Sequence, residues 1–394
     1  MNSDRGMRDL ATAPAVLALA LFAGCATEQP MNPDGSNPLM YVGTYTRETS
    51  AGIYAYRFDP STGAAQPLGL VAEMPNPSFL ALHPNGKYLY AVSETDDYDD
   101  DGSGSVVSFA IDAATGALEE LNEVSSRGGW PCHLGIDPSG RMLIVANYKG
   151  GSVAAFPVRG DGSLGEASSF FQHEGGSLHA RQQQPHAHSS DFSAGGRFAF
   201  FSDLGLDQIK VYRADPDAAT LEPHDPPYVE VPPGSGPRHF AQHPSGQLAY
   251  GLNELSSTVS AFRLDGDEGE LSLFQTVSTL PDGFEGENYT AEIHVHPSGE
   301  FVYASNRGHH SIAIFLVDPA TGGLQPRGRT PTRGEWPRNF AFDPSGRFLL
   351  AANQNSDNIA VFTIETSSGA LTPAQRDISI DAPVCIVFRA AAEG

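Results

Sequence analysis

Five side chains suited to acid, base or electrostatic work stand at the ends of short apolar runs. They are His186 and His188 in Pro185-His186-Ala187-His188, Arg238 in Pro237-Arg238-His239, Glu254 in Asn253-Glu254, and Arg307 in Asn306-Arg307. A neutral imidazole can take a proton from water, and a guanidinium can hold the negative charge that develops on a carbonyl oxygen. A carboxylate can orient either of them. Gathered in one place, these groups would support attack of water on an acyl carbon. The arginines could equally grip a carboxylate or phosphate through paired hydrogen bonds.

Other chemistries are less well supplied. His186-x-His188 and His294-x-His296 would each place two imidazoles on one face of a strand, a spacing that suits a metal ion. A channel calcium would need more carboxylates than Glu254, Glu292 and Asp203 provide. The acidic run Asp96-Asp97-Tyr98-Asp99-Asp100-Asp101-Gly102 opens like a calcium loop, but the twelfth position counted from Asp97 is Ser108 instead of glutamate. It reads as a solvated insertion. No Gly-x-Ser-x-Gly elbow occurs, so a nucleophilic serine of that type is excluded. The expected site holds no metal and no other cofactor.

The elements that would position the five residues follow from an internal repeat. A tight-turn tetrapeptide recurs as His83-Pro84-Asn85-Gly86, Asp137-Pro138-Ser139-Gly140, His243-Pro244-Ser245-Gly246, His296-Pro297-Ser298-Gly299 and Asp343-Pro344-Ser345-Gly346, with Phe192-Ser193-Ala194-Gly195-Gly196 filling the gap. Spacings of about fifty residues are those of a four-stranded propeller blade. Proline presets the turn, and glycine takes the left-handed conformation of a hairpin with a bulge. A third strand ends in a turn such as Asp112-Ala113-Ala114-Thr115-Gly116 or Asp318-Pro319-Ala320-Thr321-Gly322, and a variable fourth strand closes the unit. Six copies are complete. Tyr41-Val42-Gly43-Thr44-Tyr45 matches a second strand lacking a first, and Ala382-Pro383-Val384-Cys385-Ile386-Val387-Phe388 matches a first strand lacking a second. The sequence therefore predicts an all-β, seven-bladed β-propeller over residues 40–390, its last blade closed by strands from both termini.

In a blade of this order the first strand lines the central channel and the second runs antiparallel to it, so starts of first strands and ends of second strands emerge on one face. That face then carries Pro131-Cys132-His133, Pro185-His186-Ala187-His188, Pro237-Arg238-His239, Ala291-Glu292-Ile293-His294 and Pro337-Arg338-Asn339. Opposite them come Ser93-Glu94, Asn147-Tyr148, Ser202-Asp203, Asn253-Glu254, Asn306-Arg307 and Asn353-Gln354. Charged and titratable groups converging on a concavity are what a small-molecule site needs. His133, Tyr148, His239 and Arg338 join the five as candidate substrate-binding residues.

Composition limits the partners. Hydrophobic residues make up 40% of the 394, while 42 glycines and 30 prolines point to many turns. A formal charge of −24 excludes nucleic acid as a natural partner and requires locally placed arginines for any anionic ligand. Arg5 and Arg8 precede the apolar run Ala11–Gly24 and then Cys25, the layout of an export signal of lipoprotein type with Cys25 as the lipidated residue. Residues 26–39 read as a flexible linker. The expected location is the periplasm or outer cell envelope, with membrane contact only through such an anchor, and the expected state is a monomer. Cys132 and Cys385 fall on innermost strands of non-neighbouring blades and read as small buried hydrophobes.

Five fragments, in order, also carry a family resemblance: Met40-Tyr41-Val42-Gly43-Thr44-Tyr45-Thr46, Pro185-His186-Ala187-His188-Ser189, Gly236-Pro237-Arg238-His239, Asn253-Glu254-Leu255-Ser256-Ser257-Thr258-Val259 and Ser305-Asn306-Arg307-Gly308-His309. Across residues 40–388 the chain resembles the lactonase family of seven-bladed propellers, which includes metal-independent 6-phosphogluconolactonase and the 3-carboxy-cis,cis-muconate lactonising enzyme. The resemblance implies a catalytic set of one histidine, two arginines and one glutamate, carried here by His188 (His186 as alternate), Arg238, Arg307 and Glu254. It implies hydrolysis of a sugar or carboxylated lactone, or the reverse lactonisation of a carboxymuconate-like substrate. A phosphorylated sugar lactone is cytoplasmic, whereas the N-terminus of this chain reads as an export signal, so the substrate stays open. A rim used only as a cell-surface binding platform is the non-enzymatic alternative.

Overall fold

The computed structural model describes residues 37–389 apart from 48, 101, 375 and 376, together with Met1. Cys25, the apolar run expected to form an export signal and the expected linker up to residue 36 lie outside the described residues. The polar linker gives way to the domain slightly earlier than read: Asn37 and Pro38 are buried, and the first strand opens at Leu39.

Among the described residues there is no helix, and seven antiparallel sheets of at least four strands form the ring of the predicted β-propeller. Blades are numbered here in chain order from the one that both termini build. Their innermost strands are Pro383–Arg389, Leu80–Leu82, Pro131–Ile136, Asp191–Phe192, Pro237–Gln242, Tyr289–Val295 and Pro337–Phe342. Closure occurs where expected: Met40 pairs with Phe388, Tyr41 with Val387 and Val42 with Ile386. Each end of the chain thereby covers a strand edge that the other would leave open.

The recurring tetrapeptides explain why these runs fold back. In each, the glycine N–H bonds the carbonyl three residues earlier and the glycine takes a positive φ, as at Gly140 (75°) and Gly299 (78°). The turn histidines also reach sideways. His83, His243 and His296 bond through Nε2 to the carbonyls of Gly140, Gly299 and Gly346, each in the turn of the following blade, at 2.9 Å. Higher in the sheets, the hydroxyls of Tyr41, Tyr90, Tyr250 and Tyr303 donate to the carbonyls of Gly116, Gly162, Gly322 and Gly369, again one blade ahead. Residues that define the repeat are thus also those that join one copy to the next. Between them lie seven apolar clusters, each shared by two adjacent blades; one sets Tyr250, Leu252 and Val259 against Val302, Ala304 and Phe315.

Blade 4 departs from the expected pattern. Its inner segment from Pro185 meets the second strand at a single Ala187–Asp203 bridge, flanked by His188 N–H to Ser202 O at 2.8 Å and Leu204 N–H to His186 O at 2.9 Å, with His186 N–H also bonded to Asp203 Oδ1, and a regular ladder begins at Asp191. The ladder is interrupted because Ser190 N–H is directed to His133 Nδ1 of blade 3, 3.1 Å away. Cys132 and Cys385 are buried and free; Cys385 lies in the apolar cluster between blades 1 and 2, whereas Cys132 faces the polar mouth.

Candidate active site at the mouth of the channel

Bulges aim the key side chains. The strand registers slip between Pro131 and His133, between Pro237 and His239, and between Pro337 and Asn339. Cys132, Arg238 and Arg338 are therefore extra residues that the second strand does not match, the usual way to re-aim a side chain at a barrel or propeller rim. Regular alternation would send Arg238 and His239 to opposite faces. Instead Arg238 Nη1 lies 3.0 Å from His239 Nε2.

Glu254, one residue past the strand Leu248–Asn253, is the centre of the ion cluster. Its Oε2 meets Arg238 Nε at 3.0 Å and Arg307 Nη2 at 2.7 Å, and its Oε1 meets Arg181 Nη1 at 2.6 Å. Arg238 is further held by the carbonyl of Ala291, and Arg307 by those of Tyr289 (3.3 Å) and Thr290 (2.8 Å). Burial alone would push the Glu254 carboxyl up, but Arg307, Arg238 and Arg181 together bring it down to about 2. It is an anion at any working pH. Among the described residues no acceptor engages Arg238 Nη2 or Arg307 Nη1, so each arginine keeps one nitrogen for a ligand.

Histidines form the facing wall. His188 is buried, with its ring edge-on to Tyr148 at 5.3 Å and to His239 at 5.5 Å. Burial, and after it the Arg238 charge, hold its pKa well below the ordinary imidazole value, so it is neutral. Cys132 Sγ lies 3.6 Å from His188 Nδ1 and 3.6 Å from the His188 carbonyl, and burial pushes that thiol up, so the protonated thiol donates to the carbonyl while Nδ1–H faces sulfur and Nε2 keeps its lone pair. His186 stands nearer the rim, half-buried, stacked on Tyr148 at 4.4 Å and donating Nδ1–H to the Tyr148 carbonyl at 2.9 Å. The two histidines expected on one strand face thus lie at different depths around one tyrosine, because the segment carrying them is not a regular strand. His239 gives Nδ1–H to Glu292 Oε1 at 2.8 Å, which leaves Nε2 to accept from Arg238.

Other expected residues take different places. Arg338 sits 5.2 Å over the Tyr45 ring and 3.9 Å from Glu94, and lines one small cavity with Cys132, Arg238, His239 and Glu292. His133 lies against Phe79, stacked at 3.8 Å, with Nδ1 occupied by Ser190, so it forms wall and not rim. The asparagines at second-strand ends serve the scaffold: Asn253 Nδ2 bonds Ser260 Oγ within its blade, while Asn147 Nδ2 bonds Ser126 O and Asn353 Nδ2 bonds Thr332 O, each in the segment arriving from the preceding blade. Asp203 turns outward to His173 Nδ1 at 2.7 Å and accepts the His186 N–H, thereby fixing the histidine segment from behind. His296 serves its turn, and Asp96 of the acidic loop pairs with Lys149. Among the described residues no three His, Cys, Asp or Glu side chains are grouped to hold a metal ion.

Sequence reasoning missed Arg181 and Glu292. Arg181 stands in the irregular segment between Ser169–Gln172 and Asp191–Phe192, outside every repeat position. Glu292 is placed by the repeat on the mouth face but given no role there; its link between His239 Nδ1 and Asn339 Nδ2, 2.5 Å away, joins three separate inner strands and leaves no trace in the spacing of the sequence.

A propeller with arginines, a glutamate and neutral histidines at one mouth of its channel belongs among the enzymes that work on small anionic or hydroxylated molecules. Residues 39–388 match the family described as lactonase, 7-bladed β-propeller, and the chain belongs to that family. It is 38% identical to a 6-phosphogluconolactonase of Bacillus subtilis over 303 residues, 77% of this chain and 84% of that one. A 6-phosphogluconolactonase of Formosa agariphila is 39% identical over 312 residues, covering 77% and 86%. Among solved structures, the periplasmic gluconolactonase of Pseudomonas aeruginosa superposes with a TM-score of 0.85 at 38% identity, over 90% of this chain and 100% of that one.

Proposed function

We propose that this protein hydrolyses a sugar lactone, with His188 as general base and Arg238 and Arg307 as the oxyanion clamp. The observation that carries the reading is a neutral buried histidine beside two arginines that are fixed by one carboxylate and by backbone carbonyls, each with a free nitrogen. His188 takes a proton from water as the water oxygen bonds the lactone carbonyl carbon. Negative charge then gathers on the carbonyl oxygen, where the free guanidinium nitrogens meet it. Collapse of that intermediate breaks the ring C–O bond, and the proton held on His188 goes to the departing ring oxygen. The product is a hydroxy acid, and no covalent enzyme intermediate forms.

Among the described residues no carboxylate is bonded to His188 to favour its protonated form, so its proton uptake depends on the negative charge arising on the substrate. His186, nearer the rim, is suited to a substrate hydroxyl, as are Tyr148 and Glu254. His239 and Glu292 keep Arg238 in line. The test is a coupled-proton assay on gluconolactone and its 6-phosphate with the purified protein, before and after exhaustive chelation. The reading expects undiminished rates after chelation; a loss restored by an added divalent ion contradicts it.

Export belongs to the same proposal and is supported by Arg5, Arg8, the Ala11–Gly24 run and Cys25. Labelled fatty acid should be incorporated into the wild-type protein and not into Cys25→Ala. The closed ring supports a monomer, which sedimentation would show directly.

A further inference from the structure

Arg181 differs from the other members of the ion cluster in three respects. Its side chain is 37% exposed, against 2% for Arg238 and 5% for Arg307. It comes from an irregular segment, while the other two come from strands. It is bonded only to side chains: Glu254 Oε1 at 2.6 Å and Tyr148 OH at 3.0 Å, with its guanidinium 5.4 Å over the Tyr289 ring. It spans the mouth from the carboxylate side to the tyrosine that supports both histidines. The backbone beneath it is anchored, since fully buried Gln182 donates to Leu204 O and Asp207 Oδ1 at 2.8 Å, and Ser177 Oγ donates to Asp207 Oδ2 at 2.5 Å. The side chain can therefore move without the segment moving.

Charge supplies the reason for movement. Three guanidiniums share Glu254, and even with Arg338, Glu94 and Glu292 counted the mouth carries four guanidiniums against three carboxylates, one positive charge in excess. Arg238 and Arg307 are locked by carbonyls and cannot turn to meet an incoming anion. Resting on the lactonase reading above, we propose that Arg181 is a specificity arm that leaves Glu254 for an anionic substituent of the lactone, a phosphate or carboxylate remote from the ring carbonyl. Its departure opens the mouth and frees Glu254 Oε1 to accept a substrate hydroxyl. Bound substrate thus carries the ion pair that the resting site makes with itself.

Kinetics on gluconolactone and 6-phosphogluconolactone, with calorimetric binding of gluconate and 6-phosphogluconate, test this on full-length Arg181→Ala and Arg181→Lys. Losing one charge-assisted contact should raise KM for the phosphorylated lactone by about 10–100-fold with kcat nearly unchanged. KM for the neutral lactone should stay the same or fall, since Arg181→Ala leaves Glu254 Oε1 open to a substrate hydroxyl, and Arg181→Lys should recover part of the loss on the phosphorylated one. In binding, the preference of the wild type for 6-phosphogluconate over gluconate should collapse in Arg181→Ala. An equal loss on both ligands, or none on either, overturns the arm. Binding reads this without turnover: if neither lactone is hydrolysed yet the preference still collapses, the arm stands and the catalytic reading falls.

Discussion

Glu254 keeps three guanidiniums within reach of one another, so the mouth is most sensitive to that single charge. Glu254→Gln should lower kcat/KM by at least about 100-fold, because Arg238 and Arg307 lose their common anchor and the oxyanion clamp loosens. The pH dependence has a definite sign. With its folded pKa near 2, below the ordinary 4.5, the Glu254 carboxylate contributes stability that is complete above pH 4.5 and disappears as pH falls toward 2. His239, brought down to about 4 chiefly by burial, acts in the same direction: the unfolded chain takes up its proton first, so stability is lost as pH falls from 6.5 toward 4. Melting temperature should therefore fall steadily on acidification from pH 6.5, and a maximum near pH 5 would contradict this. In rate profiles, the acid limb of kcat/KM should lie below pH 6.5, because His188 stays neutral to lower pH than a free imidazole. At this scale the sequence was partly legible. His188, Arg238, Glu254 and Arg307 could be picked out because they stand at fixed offsets from the repeat turns; Arg181 could not, since its place depends on how Gln182 and Asp207 pin an irregular segment.

At the scale of strands and turns, the same few residues build each blade and join it to the next. Tyr250→Phe and Tyr303→Phe each remove one hydrogen bond across a blade interface and leave the ring packing intact. Each should cost about 1 kcal/mol, and the double variant should cost close to the sum, since the two bonds lie at different interfaces. Denaturant unfolding measures both. Blade count, turn positions and closure were readable because the turn tetrapeptide has a conformational requirement that shows in residue type. The inner-strand bulges were not readable: Pro237-Arg238-His239 looks like ordinary alternation, and only pairing with Leu248–Asn253 shows that Arg238 has no opposite number. The interrupted strand of blade 4 was hidden for a similar reason, as the partner of Ser190 N–H is His133, more than fifty residues away in sequence.

For the whole molecule, closure and site formation are one event, because the cluster draws on separate blades and forms only if the ring does. Deleting residues 383–394 would strip the partner from Leu39–Thr44 and leave a fully buried strand with an open edge. Such a truncation should elute as aggregate in size-exclusion chromatography and lack activity; a monomeric, active product would show that closure is dispensable. The central claim is that groups from several blades meet at the mouth to open a lactone. Its most direct test is the rate of lactone hydrolysis by wild type, His188→Ala and Arg307→Ala, each with a circular dichroism spectrum matching the wild type. The account predicts turnover by the wild type and a fall of at least about 100-fold in both variants; equal rates for all three proteins would contradict it.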